Sequence, residues 1–278
     1  MQPFSLCPPE RLRCLRGVLT DIDDTLTADG AIAPAALAAL QALSEAGVPV
    51  IAITGRPSGW SEAFALAWPV LAIVAENGAV MLRRASDEEG GGLRREFSQD
   101  APTRRANFAR LQACAADVLR RVPGASLATD SAGRLTDIAV DHSEFVHLDE
   151  AQIESVCAVM HEHGLVATVS SIHINGWLGD HNKWTAAHWA VQALLGEPFE
   201  PQRWLYVGDS TNDQRMFANM PLSIGVANIA RFVPQLQHLP SFVTQAERGD
   251  GFAELADALL RARGGLDSAP EAPATRHF

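Results

Sequence analysis

Residues 17–26 read GVLTDIDDTL. Val18, Leu19 and Thr20 form a short β-prone run that passes without a spacer into Asp21, Ile22, Asp23, Asp24 and Thr25. Three carboxylates in four positions at the end of a buried strand repel one another. They are costly to desolvate unless a cation sits among them. An acidic turn or a helix N-cap would account for one Asp. It gives no reason for an Asp, one apolar residue and a second Asp two residues ahead of a Thr. The stretch is expected to hold a metal ion at a strand end.

The flanking sequence supplies the sheet. Residues 34–46 (PAALAALQALSEA) predict a helix: Leu37, Leu40 and Leu43 recur among alanines, Pro34 stands in the first turn and Gly47 follows as a C-terminal cap. Residues 48–53 (VPVIAI) are apolar without polar alternation, as in a strand covered on both faces. Strand, helix and strand make a right-handed βαβ unit. Its second strand ends in Thr54, Gly55, Arg56 and Pro57, at the carboxyl edge that also carries Asp21. Ligands bind along that edge in open parallel sheets. A helix over 58–67 and a strand over 71–75 follow, the latter ending in Glu76, Asn77 and Gly78.

The rhythm then changes. A strand over 79–83, an acidic glycine-rich turn (SDEEGGG), a helix over 103–121, strands over 126–129 and 137–140, a helix over 149–163 and strands over 166–170 and 172–177 read as paired strands with two helices. That pattern suggests a separate α+β layer. The first rhythm returns with a helix over 183–195, a strand over 203–207, a helix over 212–219, a strand over 222–226 and a helix over 252–261. The fold expected is α/β, a Rossmann-like parallel-sheet core with an inserted α+β cap. The core would occupy 1–82 and 180–263, the cap 83–179, and a Gly-, Pro- and Ala-rich tail from 264 onward would be disordered.

Composition narrows the function. Of 278 residues, 47% are apolar and 20% charged, which excludes wholesale disorder. A net charge of -11 opposes a nucleic-acid partner over most of the surface, whereas a local metal or Lys can still hold a small phosphorylated substrate. Four cysteines lack a CxxC pair, and no apolar run approaches a membrane span. The expectation is a cytoplasmic protein with no membrane partner; its oligomeric state leaves no trace in the sequence.

A second acidic run, Asp209 to Asp213 (DSTND), follows LYVG and precedes a helix. Capping explains Asp213 and gives Asp209 no reason to be acidic. Lys183, in the first turn of a helix, opposes the macrodipole, which makes sense for a phosphate ligand and little for a solvated charge.

Together these stretches resemble the four motifs of haloacid dehalogenase (HAD)-like phosphohydrolases: DxDxT at 21–25, the strand ending in Thr54, Lys183, and GDxxND at 208–213. The insertion, with ENGA at 76–79, resembles subfamily IIB (Cof-like), which includes sugar-phosphate phosphatases. The resemblance implies a Mg²⁺-dependent phosphatase for a small phosphomonoester, a sugar phosphate by preference. It implies Asp21 as nucleophile forming an aspartyl phosphate and Asp23 as general acid and base. Thr54, Gly55, Lys183 and Asn212 would hold the phosphoryl group. The metal would be held by Asp21, the carbonyl of Asp23 and Asp209, with Asp213 behind them or acting through water. A phosphomutase using the same intermediate and a non-catalytic sugar-phosphate sensor are the alternatives. Asp24, where many relatives have Gly, and the bulky Trp184 after Lys183 depart from the usual pattern without removing a catalytic group.

Further candidates are weaker. Arg56 and Asn77 sit at the active edge and either touch substrate or brace a loop. In a strand over 172–177, His173, Asn175 and Trp177 share one face, turned either to the active edge or to solvent. His161 and His163 would lie on different faces of a helix and make no metal pair.

Overall fold

The computed structural model describes residues 1–264. The tail expected to be disordered lies outside the described residues, except Gly264, which ends the helix Arg248–Gly264.

Nine strands form the main sheet, in the order Gln2–Pro3, Phe242–Val243, Ser223–Gly225, Trp204–Gly208, Gly17–Thr20, Val50–Ile53, Ala72–Ala75, Val80–Arg84, Leu93–Phe97. The first seven pair in parallel and the last two antiparallel. Gly17–Thr20 is central, with Thr20 in register with Val207 on one side and Ala52 on the other. Asp21, Asp209 and Thr54 therefore leave three adjacent strands at one edge.

Alternation across these strands feeds two cores. Val18, Val50, Ala52 and Leu205 face a layer with Leu40, Leu43, Phe252 and Leu259 from the helices Pro34–Glu45 and Arg248–Gly264. Leu19, Ile51, Ile53 and Tyr206 face Ala186, Ala187, Ala190 and Val191 of the helix Lys183–Leu195. At about 1.5–3 kcal/mol for each large aliphatic side chain fully buried, both faces must be covered for these runs to remain strands. That is why they lack polar alternation.

The second layer is a four-stranded antiparallel sheet ordered Val166–Val169, His173–Trp177, Asp137–Asp141, Ser126–Leu127. The helices Ala101–Arg121 and Glu150–Glu162 cover one face through Leu111, Val118, Val156 and Met160. The division expected at residue 83 falls inside the strand Val80–Arg84. That strand and Leu93–Phe97 extend the main sheet, because Leu93 and Phe97 pack on its core while Arg94 and Glu96 alternate to the other face. The second layer starts at the helix Ala101–Arg121. The last helix begins at Arg248, four residues before the expected 252. Gly249 and Gly251 permit close approach there: a Cβ on Gly251 would lie 2.5 Å from Ala246 O.

All four cysteines are free thiols. No helix among the described residues is long and apolar enough to cross a membrane.

Candidate active site

The strand Gly17–Thr20 delivers Asp21 into a buried setting, 3% exposed. Its Oδ1 accepts from the Ile22 N–H at 2.8 Å and from Lys183 Nζ at 2.8 Å. Lys183 is held there by its helix start. Asn182 caps the helix, accepting from the N–H groups of Trp184 and Thr185, and the Thr185 hydroxyl accepts from Asn182 N–H in return. Lys183 is buried and bridges two acids, reaching Asp213 Oδ1 at 2.7 Å. Burial alone would lower its pKa, but Asp21 and Asp213 outweigh burial and hold it above its ordinary value, so it is a cation. Burial pushes the Asp21 carboxyl up to about 7, with Lys183 opposing and Asp213 adding to the rise.

Asp213 is fully committed. Its Oδ1 takes bonds from Lys183 and the Tyr206 hydroxyl, and its Oδ2 from the N–H groups of Asp209 (2.9 Å) and Ser210 (3.1 Å). Its carboxylate folds back over Gly208, where a Cβ would collide with it, so the glycine before Asp209 is sterically required. Asp209 differs. Its Oδ2 accepts from Asn228 Nδ2 at 3.1 Å and Arg231 Nη2 at 3.2 Å, while buried Oδ1 has no hydrogen-bond partner among the described residues. Burial, then the charges of Asp21, Asp213 and Asp24, raise its pKa well above the carboxylate range. Asp21, Asp209 and Asp213 each bring an oxygen within 4.8 Å of the others. A buried cluster of acids with one oxygen unpaired is the environment that a divalent cation with hard-oxygen preference would complete.

Asp23 turns the other way, to Arg56 Nε at 2.9 Å. Arg56 stacks over Trp60 at 5.1 Å, and its two Nη atoms reach into the second layer, to Asp130 at 3.3 Å and Glu144 at 2.9 Å. Glu144 Oε2 in turn pairs with His173 Nε2 at 2.9 Å. Burial would raise Glu144, but His173 and Arg56 prevail and hold it down at about 2.

The Thr54 hydroxyl accepts from Arg56 N–H at 3.0 Å, fixing the turn. The Gly55 carbonyl accepts from Arg134 at 3.0 Å and Asn175 at 3.2 Å, both of the second layer. Gly55 also packs against Asn77: a Cβ there would stand 3.1 Å from Asn175 Oδ1 and 3.3 Å from Asn77 Nδ2. The face carrying His173 and Asn175 is thus turned to the core. Trp177, on the same face, is buried and gives its Nε1–H to the His181 carbonyl at 2.9 Å. Asn212 receives the Ser210 hydroxyl and lines, with Lys183 and Asn77, a cavity of about 480 Å³. On the other side a cavity of about 280 Å³ is lined by Asp23, Arg56 and Glu144. A larger cavity, about 830 Å³, lies at the opposite sheet edge around Pro49 and Trp68; Arg84 is the only titratable group in its lining, so it offers no chemistry.

Several residues at the site were given no role from sequence. Glu76, fully buried, accepts from Ser58 N–H of the core and from Leu135 and Thr136 N–H of the second layer. Arg134 pairs with Asp137 at 2.9 Å beneath Asn175, and burial pushes Asp137 up to about 7 against that pairing. Arg231 and Arg248 both reach Asp24, at 2.6 Å and 3.0 Å. Only Glu76 carried a signal, as a strand-end acid beside Asn77.

A mainly parallel sheet with acids at two neighbouring strand ends, a buried Lys between them and an inserted antiparallel layer define a Rossmann-like α/β fold with its polar site at the carboxyl edge of the sheet. Residues 18–110 match the family model described as haloacid dehalogenase-like hydrolase. A phosphoglycolate phosphatase of Methanothermobacter thermautotrophicus is 26% identical over 255 residues, spanning 86% of this chain and 96% of its own length. A Thermoplasma acidophilum crystal structure superposes with a TM-score of 0.66 at 18% identity, covering 88% of this chain and 98% of that one. The sucrose-phosphatase of Synechocystis, solved with sucrose and phosphate, gives 0.63 at 15% identity, with 88% and 98% covered. Over residues 18–110 the chain is thus similar to haloacid dehalogenase-like hydrolases, and it shares its fold with these two solved structures.

Proposed function

We propose that the protein is a Mg²⁺-dependent phosphatase that hydrolyses a small phosphomonoester through an aspartyl phosphate on Asp21. The observation that carries this reading is the contact of Lys183 Nζ with Asp21 Oδ1 at 2.8 Å beside the unpaired Asp209 Oδ1. A lone buried acid pushed toward neutrality would be a poor nucleophile; a buried Lys favours its ionised form.

The donor set suits magnesium, being entirely oxygen. Asp21 and Asp209, with the main-chain carbonyl of Asp23, would hold it; Asp213 has no oxygen left over and instead orients Lys183. Bound there, the ion would neutralise charge on the phosphoryl oxygens.

In the first step an Asp21 oxygen attacks phosphorus, the P–O bond to the alcohol breaks, and Asp23 gives its proton to the departing oxygen. In the second, water attacks the same phosphorus, Asp23 takes the water's proton, and Asp21 leaves as carboxylate with inorganic phosphate released. Thr54, Gly55, Lys183 and Asn212 bind the non-bridging oxygens, and Arg56 orients Asp23. The second layer, docked through Glu76, Arg134 and Asn175, excludes bulk water from these steps.

The relatives' names point to 2-phosphoglycolate and sugar phosphates as first substrates to assay. The expected result is Mg²⁺-dependent release of inorganic phosphate, abolished by chelation and lowered at least about a thousandfold by Asp21→Asn. An isomerised sugar phosphate without net phosphate release would establish a mutase instead. A biological activity surviving Asp21→Asn would favour a sensor.

A further inference from the structure

The alcohol protonated by Asp23 must leave into the space that Asp23 borders, the cavity of about 280 Å³. This volume lies at the small end for ligand pockets, so the leaving group is short. Its rim holds Phe145, Arg231 and Arg248 besides Asp23, Arg56 and Glu144.

The acids and bases in this cavity are unequally spent. Glu144 is committed to Arg56 and His173, and Asp24 to Arg231 and Arg248. Asp29 stands exposed at the lip. Arg231 donates only through Nη2, to Asp24 and Asp209, and Arg248 approaches Asp24 through Nε at 3.0 Å without hydrogen-bond geometry. A guanidinium carries five N–H donors, so Nη1 of Arg231 and both Nη of Arg248 have no partner among the described residues. These side chains are 43% and 35% exposed, open enough to meet a ligand. A rim of surplus guanidinium donors matches a planar anion, which it can grip in a fork.

We propose that Arg231 and Arg248 bind a carboxylate on the leaving alcohol, so that the preferred substrate is a short-chain phosphomonoester bearing a carboxylate. This rests on the phosphatase reading and extends it to substrate class. Asp24 holds the two arginines in place when the site is empty, and the substrate carboxylate meets their outward-facing N–H groups.

The test compares kcat/KM, with Mg²⁺ present, for 2-phosphoglycolate and for 2-hydroxyethyl phosphate, which differs by lacking the charge. The parent protein should favour the carboxylated ester by roughly ten- to hundredfold, the range for a hydrogen bond to a charged group. Arg231→Gln and Arg248→Gln should each cut that ratio by about tenfold, mainly through KM. Adding Asp24→Gly to either arginine variant should leave the lowered ratio uncorrected, because the lost contact is with the substrate and not with Asp24. A ratio near one in the parent, with phosphate still released from both esters, overturns the inference alone. So does an equal loss on both esters in the arginine variants that Asp24→Gly repairs, because the arginines would then serve only to neutralise Asp24. No phosphate release from any phosphomonoester sinks the phosphatase reading and this inference with it.

Discussion

Asp24 stands at φ 53, in the left-handed region where a Cβ is strained. This sets two effects against each other. A side chain there costs about 1 kcal/mol in backbone strain, and its two partly exposed ion pairs return about 0–1 kcal/mol each. Asp24→Gly is therefore expected to stay within about 1 kcal/mol of the parent, whereas Asp24→Ala keeps the strain, loses both pairs and drops by up to about 2 kcal/mol. Urea unfolding of the two variants decides between them; an alanine variant as stable as the glycine one would refute the strain account. Asp213 presents a harder case, since all of its acceptor capacity is used. Asp213→Ala leaves Lys183 with one acid and two buried N–H groups without acceptors, and should cost roughly 3 kcal/mol or more. Thermal melts check this, and a loss under 1 kcal/mol would contradict the bonding pattern. At this scale the sequence was informative where chemistry is written in consecutive letters: Asp21, Asp23, Asp209, Asp213 and Lys183 stand in short runs at element ends. Arg56 was visible as an edge residue, but its partners Asp130 and Glu144 lie 74 and 88 positions away, with no periodicity to announce them.

Elements were legible in proportion to how fully they are buried. The helices Ser58–Ala67 and Lys183–Leu195 begin and end where Pro57, Asn182 and Gly196 place them. The strand Leu93–Phe97 went unread because its sequence, LRREF, is charged at three of five positions, and an edge strand with one face outside need not look apolar. The seam between the layers was equally hidden, since backbone groups make much of it. Glu76 is the clearest instance. Its Oε1 takes the Ser58 N–H at 3.0 Å, and its Oε2 takes the Thr136 N–H at 2.6 Å and hydroxyl at 2.5 Å. Every partner is a donor, so Glu76→Gln turns one acceptor into a donor facing donors. The expected cost is about 2 kcal/mol or more, felt at the seam rather than in the sheet. Hydrogen exchange at Leu135 and Thr136 should accelerate while the central strand Gly17–Thr20 stays protected. Equal acceleration in both would place Glu76 in global stability instead.

Across the whole molecule, two sheets of different kind share one polar seam, and the chain returns from the second layer to the core through residues 178–182. His181 sits in that return, stacked on Trp177 with ring centroids 5.6 Å apart, and neither ring nitrogen has a partner among the described residues. It is 6% exposed, and burial pushes its pKa down from 6.5 to about 4. The folded form thus resists a proton that the unfolded chain accepts. Stability from this group is complete above about 6.5 and is lost as pH falls toward about 4, by up to about 3 kcal/mol. Replacing His181 with Phe keeps a ring for Trp177 to stack on and removes the titration. Other groups also make the protein acid-sensitive, so the informative quantity is the difference between parent and His181→Phe in urea midpoint. That difference should change steadily between pH 6.5 and 4, against the parent as acid is added, and level off outside that window. A difference that does not vary with pH would mean that His181 reaches solvent and protonates in place, contrary to its burial against Trp177.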